Sequence, residues 1–134
     1  MINNIFELRL NGSPRYIEVA RMSVGVLASA LGFDMEKVEE IEMAVGESCR
    51  LLVCHHNQYW SAEYMISCRF ADDVLVIDMK DTNIGIIEKN GERCCIDCPN
   101  EGEVGAHMIE SLMDGCQFID QKNGRPQIIL SKER

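Results

Sequence analysis

No stretch of this chain is apolar for long enough to cross a membrane, because charged residues interrupt every hydrophobic run. The N-terminus, Met1-Ile2-Asn3-Asn4-Ile5-Phe6-Glu7, lacks the basic region and apolar block of a signal peptide. Positive charge is scarce: 13 Lys and Arg stand against 22 Asp and Glu, for a net charge of -9 and a pI near 4.7. Direct nucleic-acid binding depends on neutralising phosphates with Lys and Arg, so that class is excluded. Internal repeats are absent, and no linker divides the chain. The expectation is a cytoplasmic protein without membrane contact, whose acidic surface suits a basic protein partner.

The 134 residues form a single domain (1–134), with 46% hydrophobic and 26% charged residues, ordinary globular values. Seven cysteines is a high and odd number, expected to be reduced thiols in a cytoplasmic setting. Cys94-Cys95-Ile96-Asp97-Cys98 contains a Cys-x-x-Cys step, half of a zinc site. No second step follows, so Cys116, His107 or His55 would have to complete it. Free loop thiols are the alternative, and no metal-ligand set is assigned.

Ile5–Leu10 alternates apolar and polar residues, the period of a half-buried strand. Ser13 is placed to cap a following helix with Pro14 at its first position. Tyr16, Val19, Ala20, Val24, Leu27, Ala28 and Leu31 mark that helix's expected buried stripe, which ends at Gly32. Asp34 caps a second helix running from about Met35 to His56, broken by Asn57-Gln58. Residues 63–70 and 74–80 read as strands joined by a hairpin turn at Ala71-Asp72-Asp73. Regular periodicity is lost from Asp81 to Glu103, which predicts a long loop. A third helix is expected at Val104–Met113, then a hairpin of residues 116–120 and 126–130. This order predicts an α+β two-layer sandwich, a mixed and mostly antiparallel sheet with helices on one face.

The central helix carries the residue to explain. Val38, Ile41, Val45, Cys49 and Leu52 form its buried stripe, while Glu47, Leu51 and His55 share a neighbouring face at intervals of four. A carboxylate beside an apolar stripe is costly to bury without a partner or a task. Two readings are open: an ion pair with Arg50, or a site position. Asp81 divides likewise between a turn aspartate and a site residue, and His55 and His56 can simply meet the negative end of the helix dipole.

Three segments together resemble a known family: Ala44-Val45-Gly46-Glu47-Ser48-Cys49, Asp81-Thr82-Asn83-Ile84-Gly85-Ile86, and Gly105 followed by Ile109-Glu110-Ser111-Leu112-Met113-Asp114. The chain resembles the anti-sigma factor/serine protein kinases of bacterial partner switching, built on the gyrase/histidine-kinase type of ATP-binding fold. The resemblance implies a homodimer that pairs through its first strand and neighbouring helix. Its implied partners are a sigma factor or an anti-anti-sigma protein, the sigma factor sitting near the first helix. It implies ATP or ADP with Mg²⁺ as ligand, Glu47 as catalytic base, and Asp81, Asn83, Gly85, Gly105 and His55 at the nucleotide, with residues 82–103 as a lid. Leu51 stands where the family has its Mg²⁺-binding asparagine, Asn83 replaces a glycine, and Glu103 replaces a lid glycine. Partner binding with nucleotide binding and kinase activity weakened or lost is therefore the expected function. An active ATP-dependent serine kinase, or a thiol or zinc sensor on the same fold, are the alternatives.

Overall fold

A computed structural model describes residues 5–53, 59–61, 63–82, 86–88, 102–120 and 126–134. In chain order the elements are β1 (Phe6–Asn11), α1 (Ile17–Ala30), α2 (Met35–Val53), β2 (Tyr59–Ser61), β3 (Glu63–Ala71), β4 (Val74–Asp81), β5 (Ile86–Glu88), α3 (Gly102–Leu112), β6 (Gly115–Asp120) and β7 (Pro126–Glu133). Five strands form one sheet in the order β1-β3-β4-β7-β6, and β2 pairs with β5 in a separate ribbon. Every pairing is antiparallel.

The sheet's two faces follow from the period-two pattern of its strands. Tyr64, Ile66 and Cys68 on β3, Leu75, Ile77 and Met79 on β4, and Ile128 and Leu130 on β7 are buried. The three helices supply the opposing layer through Ala20, Val24 and Ala28, through Val38, Ile41, Val45, Cys49 and Leu52, and through Ile109. Each fully buried Ile or Leu contributes roughly 1.5–3 kcal/mol, so this seam carries most of the stability. The result is the expected α+β sandwich.

Local signals account for the ends of the elements. Asp34 Oδ1 accepts the backbone N–H of Lys37 at 2.9 Å, an N-cap bond for α2. The β3–β4 hairpin turns on Asp72 and Asp73, both at positive φ (54° and 62°), the geometry a two-residue hairpin needs to follow strand twist. Arg134 closes over this turn: it pairs with Asp73, donates to the Leu31 carbonyl at 2.8 Å and lies 5.1 Å from the Phe70 ring centre.

Three expectations are corrected. Pro14–Tyr16 forms a 3-10 turn, so α1 starts at Ile17 and Ser13 bonds the turn rather than capping the helix. Ile17 is the first residue of the inward stripe, and Tyr16 and Val19, expected to be buried, are exposed at 37% and 45%. The stretch from Asp81 to Glu103 holds a short strand, Ile86–Glu88, whose partner Tyr59–Ser61 was also missed. Three-residue strands are too short for periodicity to show. The central helix is described as far as Val53, and the expected continuation to His56 lies outside the described residues.

Candidate functional site

Glu47 and Leu51 lie on the flank of α2 that faces α3. Glu47 is half-buried, its side chain 19% exposed, and its Oε1 accepts a hydrogen bond from Arg50 Nη1 at 3.0 Å. This i,i+3 ion pair offsets the cost of partly desolvating the carboxylate. The other oxygen faces Gly105 in α3. A Cβ on Gly105 would lie 3.1 Å from Glu47 Oε2 and 3.8 Å from Leu51 Cδ2. The missing side chain is what lets the first turns of α3 close on this carboxylate. Glu47, Arg50, Leu51 and Gly105 thus form one contiguous patch where α2 meets α3. Next to Glu47, the buried Ser48 hydroxyl donates to the Ala44 carbonyl at 2.8 Å and is satisfied within the helix.

Arg50 is the member of this patch that sequence reasoning undervalued. It entered only as an alternative partner for Glu47, and its place beside Leu51 was the available signal. Chemically, the patch holds an acid, a guanidinium and hydrocarbon. Mg²⁺ needs hard oxygen ligands in near-octahedral array. Leu51 has none, and Glu47 already bonds a cation, so this patch does not fit Mg²⁺. No group of three or more His, Cys, Asp or Glu side chains converges for a metal among the described residues.

Asp81 occupies the end of β4 with 2% of its surface exposed. It is the cross-strand partner of Tyr64, and both residues face the helix layer. Tyr64 Oη is buried and finds no hydrogen-bond partner of ordinary geometry among the described residues. It faces the Cys49 thiol, and burial pushes the phenol above its usual range and the thiol up to about 12. Burial does the same to Cys68, also to about 12. Such thiols stay protonated and unreactive near neutral pH. Asn83, Gly85, His55 and the cysteines at 94, 95 and 98 lie outside the described residues. His107 is exposed on α3, with Nδ1 3.8 Å from Glu110.

A second surface feature lies on the outer side of α1. Val19, Met22 and Val26 are 45%, 55% and 69% exposed, and their i, i+3, i+7 spacing aligns them in a single stripe. Glu18 and Arg21 run along its border, and Arg21 reaches across to Glu42 of α2 at 3.4 Å. The stripe could have been seen in the sequence as a second apolar period displaced from the buried one.

The chain is similar to several characterised proteins along most of its length. An anti-sigma F factor of Clostridium acetobutylicum is 28% identical over 137 residues, covering 99% of this chain and 96% of its own. A serine-protein kinase RsbW of Bacillus licheniformis is 26% identical over 119 residues, 81% of this chain and 73% of its own. Another RsbW, from Oceanobacillus iheyensis, is 27% identical over 124 residues, 86% and 78% respectively. Residues 10–132 match the family model described as the histidine kinase-like ATPase domain. That match spans both the α2–α3 patch and the sheet beneath it, and the chain belongs to the histidine kinase-like ATPase domain family.

Proposed function

We propose that this protein is an anti-sigma-type regulator that works by exchanging protein partners, with its phosphoryl-transfer step weakened or lost. The carrying observation is the α2–α3 patch. The family's scaffold is kept, yet Glu47 is held by Arg50 and a leucine side chain lies beside it. A general base must be within reach of the proton it takes, and here one carboxylate oxygen is bonded to Arg50 while the other faces Gly105.

The partner is a sigma factor or an anti-anti-sigma protein. The apolar stripe of Val19, Met22 and Val26 supports docking at α1, since a row of exposed hydrophobic side chains gains by being covered. The net charge of -9 favours a basic surface opposite it. β1 is an edge strand, which fits a homodimer that continues the sheet through β1. Action in the cytoplasm follows from such a partner, and among the described residues no helix is long and apolar enough to cross a membrane.

If ATP or ADP binds, Asp81 is the acceptor for the adenine amino group and Gly105 lets the backbone approach the phosphates; ATP then supplies the group transferred to a partner's serine. The continued contact between Glu47 and Gly105 favours a second reading, a working serine kinase. In that reading Glu47 leaves Arg50 to take the serine's proton.

The test is calorimetric titration with the sigma factors and anti-anti-sigma proteins of the source organism. One of them should bind, and Val26→Asp should weaken it about tenfold or more without lowering the melting temperature. Binding to none of them, or binding indifferent to Val26→Asp, would sink the proposal as stated.

A further inference from the structure

We infer that the outer surface of the helix layer is a docking band for a basic amphipathic helix of a partner protein, seated on a row of exposed methionines that crosses α1, α2 and α3. This rests on the partner-exchange reading above and deepens it, since the stripe named there lies on α1 alone. Met22 on α1, Met43 on α2 and Met108 on α3 are 55%, 49% and 37% exposed. Contacts between the helices fix their heights. Gly25 of α1 faces Glu42 of α2 and Arg21 faces Gly46, so these two helices run antiparallel. Gly105 of α3 faces Glu47, while Lys132 joins the Leu112 carbonyl to Glu40, so α3 is antiparallel to α2 as well. Met22 and Met108 therefore stand level with Met43 to within about two residues, roughly 3 Å of helical rise. Val19 and Val26 extend the band along α1. Methionine side chains are flexible and polarizable, which suits them to an incoming apolar surface.

Packed helices lie roughly 8–10 Å apart, so the row asks for apolar anchors at that spacing. Two turns of helix rise about 10.8 Å and return to the same face. Three residues of strand span about 10 Å, but side chains three apart point to opposite faces. A helix with apolar residues two turns apart is the element that fits. Its charge follows from the rim of the band. Glu36 and Glu39 are exposed on α2 and enter no ion pair among the described residues. The cations of α1 and α2 are engaged: Arg21 with Glu18 and Glu42, Arg50 with Glu47, and Lys37 with the Glu133 carbonyl. α3 contributes no Lys or Arg. Lys and Arg flanking the apolar seam of the partner helix meet these acids, which sets both its sign and its orientation.

The probe is a leucine–lysine peptide about 18 residues long, roughly 27 Å as a helix, with its leucines on one face. A scrambled version and a glutamate-for-lysine version are the controls. Calorimetry on the full chain should show the helical peptide binding about tenfold or more tighter than the scrambled one, and the glutamate version not binding. With isotope-labelled methionine methyls, its binding should shift the NMR signals of Met22, Met43 and Met108 and leave those of the buried Met79 and Met113 in place. Met22→Gln/Met43→Gln keeps the charge and should weaken binding about tenfold. Glu36→Lys/Glu39→Lys should weaken it severalfold and flatten its salt dependence. The methyl shifts of the unaltered chain test the inference even if a variant fails to fold. No binding of the helical peptide, equal binding of the scrambled one, or shifts confined to other methionines overturns it. So does self-association, measured by sedimentation, that Met22→Gln/Met43→Gln abolishes, because the band then belongs to a second copy of the chain. The regulator reading fails elsewhere, in the sigma-factor titration, so the two can fail separately.

Discussion

Replacing Gly25 of α1 by alanine sets two effects of known size against each other. Gly25 is buried in the helix interior, and a Cβ there would lie 2.4 Å from Glu42 Oε1 and 2.7 Å from its Cδ and Cγ. On helix propensity alone the substitution stabilises by ~1 kcal/mol. The collision is not with a free side-chain tip, because the contact reaches back to Cγ and Glu42 is tied to Arg21 at 3.4 Å. Relief requires Glu42 to change rotamer and leave Arg21, or the helices to separate. Overpacking of this kind costs roughly 1–3 kcal/mol. Gly25→Ala should therefore destabilise the protein by up to about 2 kcal/mol, some 3–5 °C of melting temperature for each kcal/mol. In a Glu42→Ala background the obstacle is gone and the same change should stabilise by ~1 kcal/mol. Urea unfolding of the four proteins gives the cycle, with an expected coupling of about 1–3 kcal/mol. An additive cycle, in which alanine at 25 has the same effect in both backgrounds, refutes the packing argument.

Other outcomes follow from features already described. Lys132, 7% exposed, donates to the Leu112 carbonyl at the end of α3 and lies 3.4 Å from Glu40. Lys132→Met should cost about 1–3 kcal/mol by leaving that carbonyl unpaired; Glu40→Gln, on the more exposed partner, should cost under ~1 kcal/mol, and a reversed order in urea melts rejects the account. Leu51→Asn supplies an oxygen beside Glu47, so nucleotide binding should become Mg²⁺-responsive by calorimetry. The thiols of Cys49 and Cys68 are raised to about 12 in the folded state. Their stabilising effect is thus complete below the unfolded thiol range and is lost as pH rises through roughly 9 to 12. Unfolding at pH 8 and pH 10 should show falling stability, with a shallower slope in Cys49→Ala/Cys68→Ala.

Much of the fold could be read from period alone. The stripe of Val38, Ile41, Val45, Cys49 and Leu52 is buried as the helical spacing requires, and β3 and β4 bury alternate residues as strands should. Reading failed where a local choice depends on geometry rather than pattern. Ser13-Pro14 suits a helix start, but a 3-10 turn delays the start to Ile17, and Val19 falls on the exposed margin of a stripe that otherwise keeps its phase. Of the site, the Glu47–Arg50 pair was legible because i,i+3 neighbours meet on any helix. That Gly105 would close against Glu47 was not, since it depends on how α3 packs on α2, which no spacing in the chain encodes.

The position of β1 has a kinetic consequence. Among the described residues its one neighbour in the sheet is β3, and Phe6 pairs with Cys68. At ribosomal rates, the roughly 60 intervening residues take on the order of 3–12 s to synthesise. α1 and α2, which need only each other and a short connection, can assemble meanwhile. β1 must wait with its alternating apolar side unpaired, and its docking closes the longest loop in the sheet. Held by a neighbour on one side, β1 also has fewer backbone hydrogen bonds to break than an inner strand, so this edge should open to hydrogen exchange at lower energetic cost than β4.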